Sequence, residues 1–191
     1  MIFGLPILFH VIAAQTANAL PPALVIEAKS FIRQERAELR AWKLIDDFGT
    51  SFLQALPDTR RTHDDRLIRG ENFSDTPGEL AVVTFAVKIP QPGRYFLWVR
   101  AYSTGTEDNG IHAGLDGMWP ESGRRLQWCE GKGAWTWASK QRTATQHCGE
   151  QGKIWLDIPT AGSHEVHFSL REDGFRFDRF LLTLDSAYRP R

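Results

Sequence analysis

The sequence predicts an antiparallel β-sandwich, and three observations carry the prediction. Short runs of alternating or β-branched residues recur along the chain, Pro- and Gly-rich turns separate them, and no long stretch repeats apolar residues at helical spacing. The clearest run is Arg94 to Tyr102, in which Tyr95, Leu97, Val99 and Ala101 alternate with Phe96, Trp98 and Arg100. Successive side chains of a strand point to opposite faces, so bulk on both faces predicts a central strand.

Taken in order, residues 1–26 hold no charged side chain, and the mostly apolar run from Ile2 ends near Ala17-Asn18-Ala19, a small-x-small pattern. This predicts an export signal, residues 1–19, and a secreted, periplasmic or cell-surface protein. The alternative is an amino-terminal segment docked on or trailing from the domain. Pro6 and His10 interrupt the run, and about 18 to 20 unbroken apolar residues are needed to span a bilayer, so no membrane insertion is expected. Residues 24–185 then form one domain, large enough to bury its own core.

Ala23 to Ile32 reads as a first strand with Glu27 and Lys29 on one face. Glu35 to Asp47 reads either as helical near Glu35–Leu39 or, from Ala41 to Phe52, as a strand bent at Gly49. Pro57 to Asp65 is a charged loop whose charges are simplest as a solvated face. Leu80 to Ile89 is a β-branched strand, and Pro90-Gln91-Pro92-Gly93 turns it into the central strand as its expected antiparallel neighbour. A polar loop, Ser103 to Gly110, precedes a short strand, Ile111 to Leu115, and an Asp116-Gly117 turn. The Gly-, Ser- and Lys-rich segment that follows holds Trp119, Trp128, Trp135 and Trp137 and reads as loop. Lys153 to Ile158 and His164 to Leu170 are further strands, the latter with an apolar face (His164, Val166, Phe168, Leu170) and a polar one (Glu165, His167, Ser169, Arg171). The Arg171–Gly174 turn leads into a last strand, Phe175 to Leu184.

Lys plus Arg equals Asp plus Glu, 23 each, so no global field draws the chain to nucleic acid or an anionic membrane, and any charge preference is local. A monomer is expected. The two cysteines, Cys129 and Cys148, flank the tryptophan-rich segment. In an oxidising compartment they close a loop of about twenty residues, worth about 3 kcal/mol in the chain-entropy model; if the chain is not exported, they are free thiols.

Several pieces in order, Val25-Ile-Glu-Ala-Lys-Ser-Phe31, Pro92-Gly-Arg-Tyr-Phe-Leu-Trp-Val-Arg-Ala101, Leu115-Asp-Gly117, Ala161-Gly-Ser-His164 and Gly174-Phe-Arg-Phe-Asp-Arg-Phe-Leu-Leu182, resemble a galactose-binding-like jelly-roll carbohydrate-binding module of the family six and thirty-five group. The resemblance implies a jelly roll and a glycan bound by aromatic side chains in edge loops. It also implies a structural calcium held by carboxylates of the first and last strands, here Glu27 and Asp178. Calcium takes six to eight hard oxygen ligands, yet Lys29 stands where a second first-strand carboxylate is expected. The other reading is that Lys29 pairs with Asp178 or Glu27 in the ion's place. Arg176 occupies a position where the family often has asparagine, and a guanidinium fork suits carboxylate or sulfate, hence an acidic polysaccharide or oligosaccharide.

Sugar rings pack axial C–H groups on an aromatic face while their hydroxyls reach polar rim groups. Trp128, Trp135 and Trp137 suit the first role; Glu107, Asp108, Asn109, Arg125 and Lys140 suit the second. The competing reading of each tryptophan is packing under the loops as a satellite core. Loop carboxylates (Glu107-Asp108, Glu121, Glu130, Glu172-Asp173) and His112, His147 and Tyr102 leave a small polysaccharide lyase or hydrolase as the alternative, and a cell-surface protein-interaction domain as a third. No nucleophile elbow, phosphate loop or His-x-x-x-His metal signature is present, so non-catalytic binding is the reading preferred. His164 and His167 read as structural.

Overall fold

The computed structural model describes residues 23–47 and 49–191; the export-signal expectation therefore lies outside the described residues. Fourteen strands follow in order: β1 Leu24–Glu27, β2 Arg33–Glu35, β3 Ala41–Asp47, β4 Thr50–Leu56, β5 Val82–Ile89, β6 Gly93–Tyr102, β7 Gly110–Leu115, β8 Leu126–Gln127, β9 Trp135–Ala138, β10 Lys140–Gln141, β11 Glu150–Gln151, β12 Trp155–Ile158, β13 Gly162–Leu170 and β14 Arg176–Thr183. They form two antiparallel sheets. One runs β12-β6-β14-β4-β3, with β1 also on β14 and β9 also on β6; the other runs β11-β10-β8-β7-β13-β5-β2. Long strands close in sequence alternate between the sheets, the crossing pattern of a sandwich of jelly-roll type. Among the described residues no helix is long and apolar enough to cross a membrane.

The core lies where the inward faces meet. Leu97, Val99 and Ala101 of β6 are fully buried, as are Val83 and Phe85 of β5 and Val166, Phe168 and Leu170 of β13. Phe85, Phe168 and Phe180 meet at ring separations of 5.0 to 5.9 Å, mostly edge to face, the arrangement favoured by the ring quadrupole. In β14 a bulge between Phe177 and Arg179 inserts one residue, so Phe177 and Phe180, three apart, both face inward. The central strand is as expected, flanked by β14 on one side and by β12 and β9 on the other.

Several expectations change. β5 and β6 are not paired: they belong to opposite sheets, and β5 lies between β13 and β2. Pro90 and Pro92 lack amide protons, and the three-residue link, residues 90–92, carries the chain across the sandwich instead of closing a hairpin. The first strand ends at Glu27, where Ala28–Ser30 winds into a 3-10 turn that buries Ala28 and leaves Lys29 exposed. Of the two readings for residues 35–52 the strand holds, as the β3–β4 hairpin. The tryptophan-rich segment is not all loop, since Trp135 and Trp137 lie on β9, paired with β6.

Much of the polar face of β13 is covered as well: His167 and Ser169 are buried, as is Arg171 just past the strand, while Glu165 is half-buried. Trp119 lies over the outer side of that sheet, so close to Gly114 that a Cβ there would sit 2.8 Å from its ring. Only glycine admits it.

Candidate functional site

A cleft of about 870 Å³ opens at one end of the sandwich. Its walls come from the 60–75 loop, the 106–109 loop, the Arg171-Glu172 turn and the segment closed by the Cys129–Cys148 disulfide, whose Cα atoms are 5.3 Å apart. Arg60, Arg69, Arg125, Lys132, Arg142 and Arg171 line it against only Asp75, Glu107 and Glu172, with Leu67 and Phe73 as its apolar part. A neutral chain thus concentrates positive charge in one concavity.

Most of these cations are already engaged. Arg60 pairs with Glu107, Arg125 with Glu121, and Arg171 with Asp75 at 3.2 Å and Glu172 at 2.7 Å. The three donors of Lys132 go to Ser103 Oγ, Gly105 O and Trp128 O. Arg142 differs. Among the described residues its guanidinium has no ion-pair partner, and its one side-chain contact is His147 Nε2 at 3.2 Å. Burial, then the nearby Arg171 charge, push Arg142 below the usual guanidinium range.

The buried acids are fixed by hydrogen bonds. Glu172 accepts the Asn109 amide at 2.9 Å as well as Arg171, yet burial pushes it above the usual carboxylate range. Asp173, fully buried, accepts from Arg40 Nη2 at 3.0 Å, Thr59 N at 2.8 Å and Thr59 Oγ1 at 2.7 Å. It thereby holds the 57–60 loop down and aims Arg60 at Glu107. That loop is therefore not wholly a solvated face: Arg60 is buried.

The sequence-predicted residues fall into three places. Asn109 and Arg125 line the cleft. Trp135, Trp137 and Arg176 lie on the outer face of the β6 sheet: Trp135 sits 5.6 Å from Tyr102 and 5.5 Å from Phe52, and the Arg176 guanidinium stacks 4.8 Å over Tyr102. Trp128 and Asp108 are interior. Trp128 is 2% exposed and packed 5.0 Å from Phe175, so the expectation that it contacts ligand is corrected: a sealed ring offers no face to a sugar. Asp108 is likewise buried; burial pushes it up, but bonds from Thr104, Ser103 and Gly105 outweigh this and hold it low. It shapes the loop. Asn109, although it lines the cleft, is buried with its side-chain oxygen on Gln127.

Truncating Trp128 to alanine is expected to cost about 3 to 5 kcal/mol in chemical denaturation, the range for a core aromatic. Trp137→Ala, on a half-open face, should change stability by less than about 1 kcal/mol.

Beside the cleft a smaller groove of about 330 Å³ is lined by Cys129, Glu130, Trp137 and Lys140. Cys129 borders both openings, so the disulfide forms the ridge between the guanidinium-rich cleft and the Trp137 face.

The residues at the expected calcium position do not fit the ion. Both oxygens of Asp178 accept from Arg100, at 2.9 and 2.5 Å, and Oδ2 also from Arg179 at 3.2 Å; Glu27 pairs with Arg179 at 3.4 Å. Guanidinium groups fill the space where a dication would need open carboxylate lone pairs. Lys29 is in no ion pair with either acid, so arginines, not Lys29, supply the positive charge. Among the described residues no cluster of three metal-ligating side chains occurs.

Of the histidines, His112 is fully buried. Its Nε2 donates to Ser74 O and its Nδ1 accepts the Arg125 amide, both at 3.1 Å. That pattern requires the neutral ring, and burial lowers it to about 4. The folded state then binds its proton less readily than the unfolded chain, so stability present above about pH 6.5 is lost as pH falls toward 4. Denaturation at pH 7 and pH 4.5 should show a drop, largely abolished in His112→Gln. His164, bonded to Asp116 at 2.7 Å, and His167, accepting the Gly117 amide at 2.8 Å, hold the turn after β7.

Sequence reasoning missed Arg60, His63, Arg142 and Arg171 as cleft residues. They are spread over more than a hundred positions and share no motif.

No family model matches the chain. It is 50% identical over 185 residues to a Formosa agariphila protein named uncharacterized protein P23, an alignment covering 87% of this chain and 45% of that protein, so the chain spans less than half of that relative's length. Similar solved structures include a family 35 carbohydrate binding module from Clostridium thermocellum (11% identity, TM-score 0.46, 84% of this chain and 96% of that one). Others are a CBM35 from Paenibacillus barcinonensis (10%, TM-score 0.47, 85% and 99%) and the C-terminal CBM6 of LamC, a marine laminarinase from Zobellia galactanivorans (14%, TM-score 0.42, 84% and 98%).

Proposed function

We propose that this chain is an exported carbohydrate-binding module whose ligand is an anionic polysaccharide or oligosaccharide. The saccharide class follows from the ordered sequence motifs that resemble such modules. The charge follows from the cleft, and one observation carries it: Arg142, a half-buried guanidinium without a carboxylate partner among the described residues, in a concavity of six cations and three acids. A sulfate or uronate carboxylate would supply the missing acceptor in the bidentate geometry that guanidinium favours. An extended ligand would then pass the disulfide ridge and lay a sugar face against Trp137, with Lys140 at the rim.

The test is calorimetric titration of the purified protein with sulfated, uronate-containing and neutral polysaccharides at two salt concentrations. Binding to an anionic polymer that weakens with added salt, and little binding to the neutral ones, is the expected result. Equal affinity for neutral and anionic polymers would remove the cleft from the site.

A further inference from the structure

One arrangement in the cleft exceeds what binding requires. His63, its side chain 79% exposed, has Nδ1 2.9 Å from Oε1 of Glu107, a carboxylate only 3% exposed. Thr106 Oγ1 donates to the same oxygen at 2.7 Å and Arg60 pairs with the other, so the carboxylate cannot swing and the ring it holds is oriented. A carboxylate at Nδ1 keeps the proton there and leaves Nε2 as the basic atom. On the disulfide-bridged segment, His147 Nε2 lies 3.2 Å from Arg142 Nη1. A guanidinium cannot accept a hydrogen bond, so His147 accepts through Nε2 and carries its proton on Nδ1. Both imidazoles line one cleft, and His63 is close enough to be felt in the titration of His147. His63 is set to take a proton through Nε2, beside a guanidinium that lacks an anion.

We propose that the cleft also cleaves uronate-containing glycans by β-elimination, with His63 as base and, once protonated, as acid; this rests on the reading that the cleft binds an anionic saccharide. His63 Nε2 removes the proton from the ring carbon bearing the carboxylate. The electron pair left behind forms a carbon–carbon double bond to the neighbouring ring carbon, and the bond from that carbon to the glycosidic oxygen breaks. The oxygen takes the proton back from His63 Nε2, giving a new non-reducing end that is unsaturated and a saturated fragment. Arg142 faces the carboxylate, whose charge builds up as the proton leaves. No co-reactant is consumed, and His63 ends the cycle in its starting form.

The experiment pairs two readouts on the full chain: calorimetric binding to uronate-containing polysaccharides, and the ultraviolet absorbance of the unsaturated uronate product. Wild type should bind and generate absorbance. His63→Gln, a change at an exposed side chain that should fold normally, should lose about 100-fold in rate or more while its affinity stays within about 3-fold. Binding without any absorbance, or absorbance that persists in His63→Gln, overturns the elimination chemistry and leaves the binding reading intact. Absence of binding to every anionic polymer overturns both.

Discussion

Arg142→Ala should weaken binding to an anionic polysaccharide by about 10- to 100-fold, because a charge-assisted hydrogen bond contributes about 1.5 to 3 kcal/mol and each 1.4 kcal/mol is tenfold in affinity. The size follows from the surroundings of this guanidinium. The other cleft arginines are held by Glu107, Glu121, Asp75 or Glu172, so a ligand anion must compete with an internal carboxylate for them. Arg142 faces no such competition among the described residues, and its partial burial strengthens any ion pair it forms. Arg142→Lys should recover part of the loss, since it restores charge but not the planar fork. The control is Arg94→Ala: Arg94 stacks 4.6 Å over Trp155 and pairs with Asp157, away from the cleft, and the change should leave affinity unaltered. Titration of the three variants at one salt concentration decides the matter. Equal affinities for wild type and Arg142→Ala would refute the assignment.

Asp173→Ala should be strongly destabilising, costing about 3 to 5 kcal/mol, the range for removing one partner of a buried ion pair. Its carboxylate is fully buried, Arg40 opposite is 5% exposed, and Thr59 gives it both backbone and side-chain hydrogen bonds. Without it the Arg40 charge stays in the interior with only Leu39 O and Thr59 Oγ1 as acceptors. At about 2 to 4 °C per kcal/mol for a chain of this size, the melting temperature should fall by roughly 6 to 20 °C. Because Asp173 anchors the 57–60 loop, cleft binding should suffer even at temperatures where the variant stays folded. A loss of less than about 1 kcal/mol in denaturant titration would mean that the pair is solvated and the loop is held by something else.

The reach of the sequence shows in particular residues. The alternation of Tyr95, Leu97, Val99 and Ala101 was enough to place β6 at the centre of a sheet, because a period of two is a local property of an extended chain. The same logic, applied to Pro90–Gly93, gave the wrong neighbour: whether a turn closes a hairpin or crosses a sandwich depends on which edges are already occupied. Trp128 and Trp137 are alike in sequence context, nine positions apart. One, just past β8, is sealed against Phe175 and the other lies half-open on β9, a distinction set by how the chain packs after each strand forms. Lys29 suggested a lost carboxylate but not its replacement, since Arg100 and Arg179 reach Asp178 only through strand pairing.

By itself the chain determined its mainly strand character, its central strand, the single partner open to each cysteine and an overall neutrality that makes any charge preference local. Those are properties of composition and of neighbours in sequence, where backbone geometry and side-chain period act directly. The cleft was decided only by tertiary structure. Its arginines, histidines and acids are drawn from loops between Arg60 and Glu172, and whether each cation is neutralised within the protein or left to meet a ligand depends on distances of a few ångströms that the order of residues does not contain.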